Sequence, residues 1–324
     1  MRRGEFDLIR AAFAPLSDAE QGLGLRDDAA RIINDPGHDL IATADILVAG
    51  VHFGAADPAD AIARKALRVN LSDVAAMGAL PISYLLSLAL PKAADDDWID
   101  RFAAALADDN RQFGIVLAGG DTVATPGPLT VNVTAFGQVR EGAALRRSGA
   151  RAGDDIYVSG TVGDAALALA AEARPLPGLD DNDLSRLRSR LLVPEPRVAL
   201  GPRLVGLASA CIDVSDGLAA DLGHICEESG AGADIRAASV PLSRAASKAV
   251  AAEPEHFATV LSGGDDYELL FTAPPALRPA LAALAAELDL ALSVIGAMSE
   301  TPGVRILGPG GEAMALEAAG YRHF

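Results

Sequence analysis

Polar and apolar side chains alternate through Leu129-Thr130-Val131-Asn132-Val133-Thr134-Ala135-Phe136, a pattern that predicts a half-buried β-strand. Residues 40–48 predict another, and so do residues 82–90 and 115–118. Between these segments helical spacing takes over. Residues 4–15 form a short amphipathic pattern, and residues 95–112 form a longer one. Asp57-Pro58 opens a third that runs through Gly78, with proline in the tolerated first turn. Beyond residue 153, strands are expected at 155–159, 210–214 and 267–272, with two short ones near the end. Helices are expected at 163–173, 184–192, 197–207, 217–229 and 276–288. The elements come in mixed order rather than strict alternation, so the expected class is α+β.

The chain has 324 residues, which suits two domains of about 150 residues each. Gly142 to Gly153, carrying Arg146, Arg147 and Arg151, predicts a hinge and a division into residues 1–141 and 142–324. Half of the residues are hydrophobic and 22% are charged, the balance of a folded globular protein. A formal charge of −17 argues against nucleic acid or an anionic membrane as the main partner. A phosphorylated substrate stays open, because a bound metal reverses the local sign. Cys211 and Cys226 have no C-x-x-C spacing, as expected of a reduced, cytoplasmic protein. The longest apolar stretch, residues 79–91, is too short for a bilayer, which needs about 20.

Charge placement changes this picture most. Asp28, Asp45, Asp73, Asp121, Asp213, Asp216, Asp265 and Asp266 lie in short Gly-, Ser- or Asn-containing segments beside apolar runs. Carboxylates in such settings are costly to desolvate unless something positive meets them. Lysine occurs only at 65, 92 and 248, so a hard divalent cation with oxygen ligands is the natural partner. Ser72-Asp73 and Ser215-Asp216 each precede a helical pattern. Such pairs either cap a helix or let its N–H groups meet phosphate while the acid reaches a metal. Gly119-Gly120-Asp121 and Gly263-Gly264-Asp265 allow either a tight turn or close approach of backbone to a ligand. The two pairs are spaced alike, 48 residues from Asp73 to Asp121 and 49 from Asp216 to Asp265, as an internal repeat would be. His52 sits in an apolar setting, where a lone histidine is more often a satisfied core residue than a functional one. Tyr321 is either part of a docked C-terminus or an aromatic wall for a flat ring. No Walker loop is present, so a nucleotide would rely on metal, backbone N–H groups and arginines such as Arg147 and Arg151.

In order along the chain, Asp27-Asp28-Ala29-Ala30, residues 45–53, residues 69–79, Gly119-Gly120-Asp121-Thr122, Arg147-Ser148-Gly149-Ala150, residues 212–218, residues 262–269 and the Gly320-Tyr321-Arg322-His323-Phe324 end resemble the thiamine-monophosphate kinase family. That resemblance implies an aminoimidazole-ribonucleotide-synthetase-like architecture of two α+β domains, with the N-terminal sheet pairing in a homodimer. It implies ATP-dependent phosphorylation of thiamine monophosphate. By matching positions, Asp28, Thr43, Ala44, Asp45, Asp73, Asp121, Asp213 and Asp216 would hold several Mg²⁺ ions. Asp45, Asp73, Asp121 and Asp213 would form the catalytic set. Gly120, Asp121, Arg147 and Ser215 would contact ATP, and His52, Asp265 and Tyr321 the thiamine monophosphate.

Three positions depart from the family pattern. Arg26 stands where glycine is usual, Ala44 stands where a hydroxyl residue is usual, and Asp265 replaces the commoner glutamate. Ala44 could therefore reach a metal only through its carbonyl oxygen. The competing expectations are a sister enzyme with another small acceptor and a non-catalytic thiamine-phosphate binder.

Overall fold

The structure, a computed structural model, describes residues 3–308, 312–314 and 320. Two compact units divide the chain: residues 1–74 with 79–142, and residues 75–78 with 143–324.

The first unit opens on α1 (Glu5–Leu8), continued by a π turn and a 3-10 turn to Leu16. There follow β1 (His38–Val48), α2 (Ala59–Ala76), β2 (Leu80–Leu90), α3 (Asp96–Phe113), β3 (Val116–Ala124) and β4 (Thr130–Arg140). The four strands form one sheet in the order β1-β4-β2-β3, parallel only between β2 and β3. Strand alternation does its expected work on β4. Val131, Val133, Ala135 and Val139 are buried, while Asn132, Thr134, Phe136 and Gln138 are half-buried. Helix α3 starts where the Asp95 carboxylate accepts the Trp98 N–H at 2.9 Å, and it buries Ile99, Phe102 and Leu106 along one stripe. The β2/β3 register slips between Tyr84 and Leu85, where Ala118 is the extra residue between the pairs Tyr84–Leu117 and Leu85–Gly119.

The second unit carries β5 (Asp155–Ser159), α4 (Asp164–Ala173), α5 (Asp181–Leu192), α6 (Gly201–Leu204), β6 (Ala210–Asp213) and α7 (Leu218–Ser229). It continues with β7 (Gly232–Arg236), α8 (Arg244–Ala252), α9 (His256–Ser262), β8 (Leu269–Ala273), α10 (Arg278–Leu288), β9 (Leu292–Ser299), β10 (Gly303–Leu307) and β11 (Ala313–Met314). A seven-stranded mixed sheet runs β11-β10-β7-β9-β5-β8-β6. Its central strands β5 and β8 are buried on both faces, with Ile156, Val158, Leu270 and Phe271 in the core. The architecture is α+β.

Several expected elements take a different form. The strand expected at 115–118 continues through Gly119-Gly120-Asp121-Thr122 to Ala124, because parallel pairing with β2 extends that far. The helix expected at 197–207 shrinks to Gly201–Leu204, broken at Val205 with its extended ψ of 121°. Strand β7 and helices α8 and α9 have no counterpart among the expected elements. Ser72-Asp73 lies inside the last turns of α2 rather than before a helix. The segment read as a hinge is docked on the second unit: Arg146 accepts the Cys211 N–H at 2.8 Å, and Ser229 Oγ accepts the Ala150 N–H at 3.1 Å. Both cysteines are free and buried. Among the described residues no helix is long and apolar enough to cross a membrane.

Candidate active site

In the first unit the carboxylates form two groups. The first gathers where β1 meets α2. Thr43 Oγ1 donates to Asp73 Oδ2 at 2.6 Å. The Asp45 backbone is held from two sides: Asn70 Oδ1 accepts its N–H and Asn132 Nδ2 donates to its carbonyl, each at 3.0 Å. Burial, then the charge of Asp73 and a hydrogen bond with it, push the Asp45 carboxyl up to about 6. An all-oxygen set of this kind, short of positive charge and partly desolvated, suits a hard divalent cation.

The second group lines a cavity of about 720 Å³ built by Asp27, Asp28, Gly119, Gly120, Asp121 and Thr134, among others. Gly120 reaches this position with φ +154°, and any Cβ there would fall 1.8 Å from the Leu86 carbonyl oxygen. A glycine is therefore required to carry the strand into Asp121. Asp121 Oδ1 accepts the Thr122 N–H at 2.8 Å. Sheet register separates the two groups. Asp45 stands in the row of Val133 and Leu86, whereas Asp121 stands in the next row with Ser87, Asn132 and Ile46. The two carboxylates leave the sheet on opposite faces.

His52 is fixed by the turn that follows β1. Its Nδ1 accepts the Val48 N–H at 3.0 Å, which leaves the proton of the neutral ring on Nε2.

In the second unit β6 ends on the buried Asp213, and the turn Val214-Ser215-Asp216-Gly217 leads into α7. Asp221, one turn into that helix, accepts the N–H groups of Ser215, Asp216 and Gly217 on Oδ2 at 3.0, 3.1 and 3.1 Å. Burial and the charge of Asp216 push its carboxyl up to about 7 against the pull of these donors. These three N–H groups thus already serve Asp221. Asp216, Asp221 and His224 each offer a ligand atom, all within 4.8 Å of one another. Asp265 packs against the same turn, its N–H donating to the Ser215 carbonyl at 2.9 Å. Arg147 is exposed. Tyr321 lies outside the described residues.

The internal repeat does not survive this placement. Asp73 is helical while Asp216 is in a turn, and Asp121 is on a strand while Asp265 is in a loop.

Comparison with known proteins adds to this geometry. Residues 26–139 match the family described as AIR synthase related protein, N-terminal domain, and residues 151–308 match its C-terminal domain counterpart. The thiamine-monophosphate kinase of Escherichia coli K12 is 44% identical over the whole chain and 99% of its own length. The chain belongs to the thiamine-monophosphate kinase family. The crystal structure of thiamine-monophosphate kinase from Stenotrophomonas maltophilia superposes with a TM-score of 0.85 at 46% identity, covering 95% of this chain and 96% of that one. The structure described as AaThiL complexed with AMPPCP and TMP superposes at 0.77 with 30% identity, covering 100% and 99%.

Set beside this family's motifs, Asn70, Asn132, Asp221 and His224 are residues that sequence reading missed. Asn70 lay within a recognised segment. Asp221 carried a usable signal, a carboxylate four residues after Gly217 at the start of an amphipathic pattern.

Proposed function

We propose that this chain transfers the γ-phosphoryl group of ATP to thiamine monophosphate, giving thiamine diphosphate. The observation that carries the reading is the Thr43–Asp73–Asp45 group: a partly buried oxygen cluster, with one carboxyl held near 6, on a chain that aligns end to end with kinases of this substrate. AMPPCP is an ATP analogue, so a relative solved with AMPPCP and TMP supports the pairing of donor and acceptor.

Two polyanions must approach each other, and their repulsion is the barrier the site has to lower. In this reading Thr43, the Ala44 carbonyl, Asp45 and Asp73 would hold Mg²⁺ on one face of the first sheet, and Asp28 and Asp121 would do so on the other. On the second unit, Asp213 and Asp216 would offer metal-binding oxygens of the same kind. Several ions rather than one suit groups set on two faces. Bound Mg²⁺ would supply charge neutralisation and alignment of the reacting phosphates. Asp45, Asp73, Asp121 and Asp213 are the catalytic set. Gly120, Asp121, Arg147 and Ser215 contact ATP, where the backbone at Gly120 approaches closely for want of a side chain. His52, Asp265 and Tyr321 contact thiamine monophosphate. The acceptor phosphate is ionised near neutral pH, so its oxygen attacks without a strong general base.

A homodimer and a cytoplasmic location belong to the same proposal. Leu40 and Ile46 on edge strand β1 are 44% and 57% exposed on one face, apolar surface that a second copy would cover. Two unpaired thiols and the use of ATP fit the cytoplasm.

The test is product analysis after mixing the protein with ATP, Mg²⁺ and thiamine monophosphate, with free thiamine as a parallel acceptor. Thiamine diphosphate formed from the monophosphate alone supports the reading. Its absence, with ATP bound, overturns it in favour of another acceptor.

A further inference from the structure

The loop between α9 and β8 places two non-glycine residues in the left-handed region, Asp265 at φ 69° and Tyr267 at φ 53°. Aspartate tolerates that conformation and tyrosine rarely adopts it, so the surroundings must impose it. They do so on every second residue. Asp266 is buried, and its Oδ2 accepts the Gly163 N–H at 2.7 Å. Glu268 is fully buried and accepts from Ser159 Oγ at 2.6 Å, Arg190 Nη2 at 2.9 Å and Arg197 Nε at 2.5 Å. Backbone bonds complete the frame: the Tyr267 N–H donates to the Val214 carbonyl at 2.8 Å, and the Val214 N–H donates to the Glu268 carbonyl at 2.8 Å. Gly264 lets the two loops close together, since a Cβ there would fall 1.9 Å from the Ser215 carbonyl oxygen.

With residues 266 and 268 anchored inward, the half-buried side chains of 265 and 267 meet, and Tyr267 Oη donates to Asp265 Oδ1 at 3.0 Å. We propose that Tyr267 is a positioning residue that sets specificity for thiamine monophosphate: its phenol fixes the rotation of the Asp265 carboxylate against the cationic, ring-bearing end of the substrate. A carboxylate repels the phosphate end and attracts a thiazolium, so Asp265 must face the rings. An aspartate side chain is short, and a short acid depends more on being aimed. The hydrogen bond to a charged acceptor is of the strong kind. Strain in the loop is thus spent on bringing a phenol and a carboxylate together.

This inference rests on Asp265 contacting the substrate, and the experiment separates the two claims. Tyr267→Phe, Asp265→Ala and the double variant are compared with the parent in steady-state kinetics, with the fold checked by thermal melting. Tyr267→Phe should raise the KM for thiamine monophosphate roughly tenfold, as loss of a charge-assisted hydrogen bond implies. Saturated kcat and the KM for ATP should stay within twofold of the parent. In the Asp265→Ala background Tyr267→Phe should add nothing. An unchanged KM in Asp265→Ala would remove the substrate role of Asp265. A raised KM in Asp265→Ala beside an unaffected Tyr267→Phe, or equal additive losses in both backgrounds, would overturn the positioning role alone.

Discussion

Thr43 Oγ1 donates to Asp73 Oδ2 at 2.6 Å, joining a strand to the last turns of the helix that packs on it. This bond orients a carboxylate proposed to hold metal. Thr43→Val keeps the strand shape and removes the hydroxyl. The Mg²⁺ concentration for half-maximal turnover should rise between about 10- and 100-fold, the usual cost of losing a supporting partner at a metal site. An unchanged Mg²⁺ dependence would show that Asp73 needs no such support.

Asp73→Asn should separate activity from stability. Removing the Asp73 charge relieves Asp45, whose carboxyl should fall from about 6 towards the ordinary range. Thermal stability of the metal-free protein at pH 8 should hold or improve. Turnover should drop by about a thousandfold, matching the several kcal/mol of charge stabilisation that a held metal supplies. A variant that loses fold and activity together would contradict this separation.

Without divalent cations, stability should fall as pH rises from about 4 to about 7. The Asp45 and Asp221 carboxyls are raised to about 6 and about 7 when folded, against 3.8 as the ordinary value. In that window the folded chain holds protons that the unfolded chain has released, so raising pH favours unfolding. Asp96 and Asp183, whose carboxyls are lowered, act in the opposite sense but only at more acid pH. Melting temperatures in a chelator should therefore be higher at pH 5 than at pH 8, and Mg²⁺ should raise the pH 8 value more. A chelated protein that melts higher at pH 8 would refute the raised carboxyls.

Asp221→Ala leaves the N–H groups of Ser215, Asp216 and Gly217 without their shared acceptor. The loss should be about 1–3 kcal/mol in denaturant unfolding. Asp221→Asn keeps an oxygen at the turn and removes a poorly solvated charge, so its loss should be smaller. Equal losses would show that charge rather than hydrogen bonding matters at this turn.

Much of the fold was legible because period-two and helical spacing survive in most segments. β1, α2, α3, β4, β5 and α7 lie within a few residues of their expected bounds. The stretch from residue 230 to 262 was opaque for a physical reason. Gly232–Arg236 is a short strand with few apolar side chains, and Arg244–Ala252 is almost all alanine on its buried face, a weak periodic signal. At the site, residue types pointed to oxygen chemistry but not to its arrangement. Ser72-Asp73 and Ser215-Asp216 look alike in sequence, yet one pair ends a helix and the other precedes one. Nor could spacing reveal that Asp221 occupies the turn's N–H groups, since that depends on how α7 leaves β6.

The extra residue between β2 and β3 carries a consequence for how insertions are tolerated here. A strand has two sides, and each added or removed residue exchanges them for everything downstream. Ala118 sits at this switch, buried beside an equally buried Leu117. With it, Asp121 pairs with Ser87 and opens onto the cavity. Drawing that one alanine into the ladder opposite Leu85, with Leu117 kept opposite Tyr84, would set Gly119 against Leu86 and Asp121 against Leu88 and so invert the parity of Gly119-Gly120-Asp121. The carboxylate would pass through the sheet to the helix-covered side, and Gly119 would take over the close approach to Leu86. A methyl-bearing residue with no chemistry of its own thus decides which side of the sheet receives a negative charge.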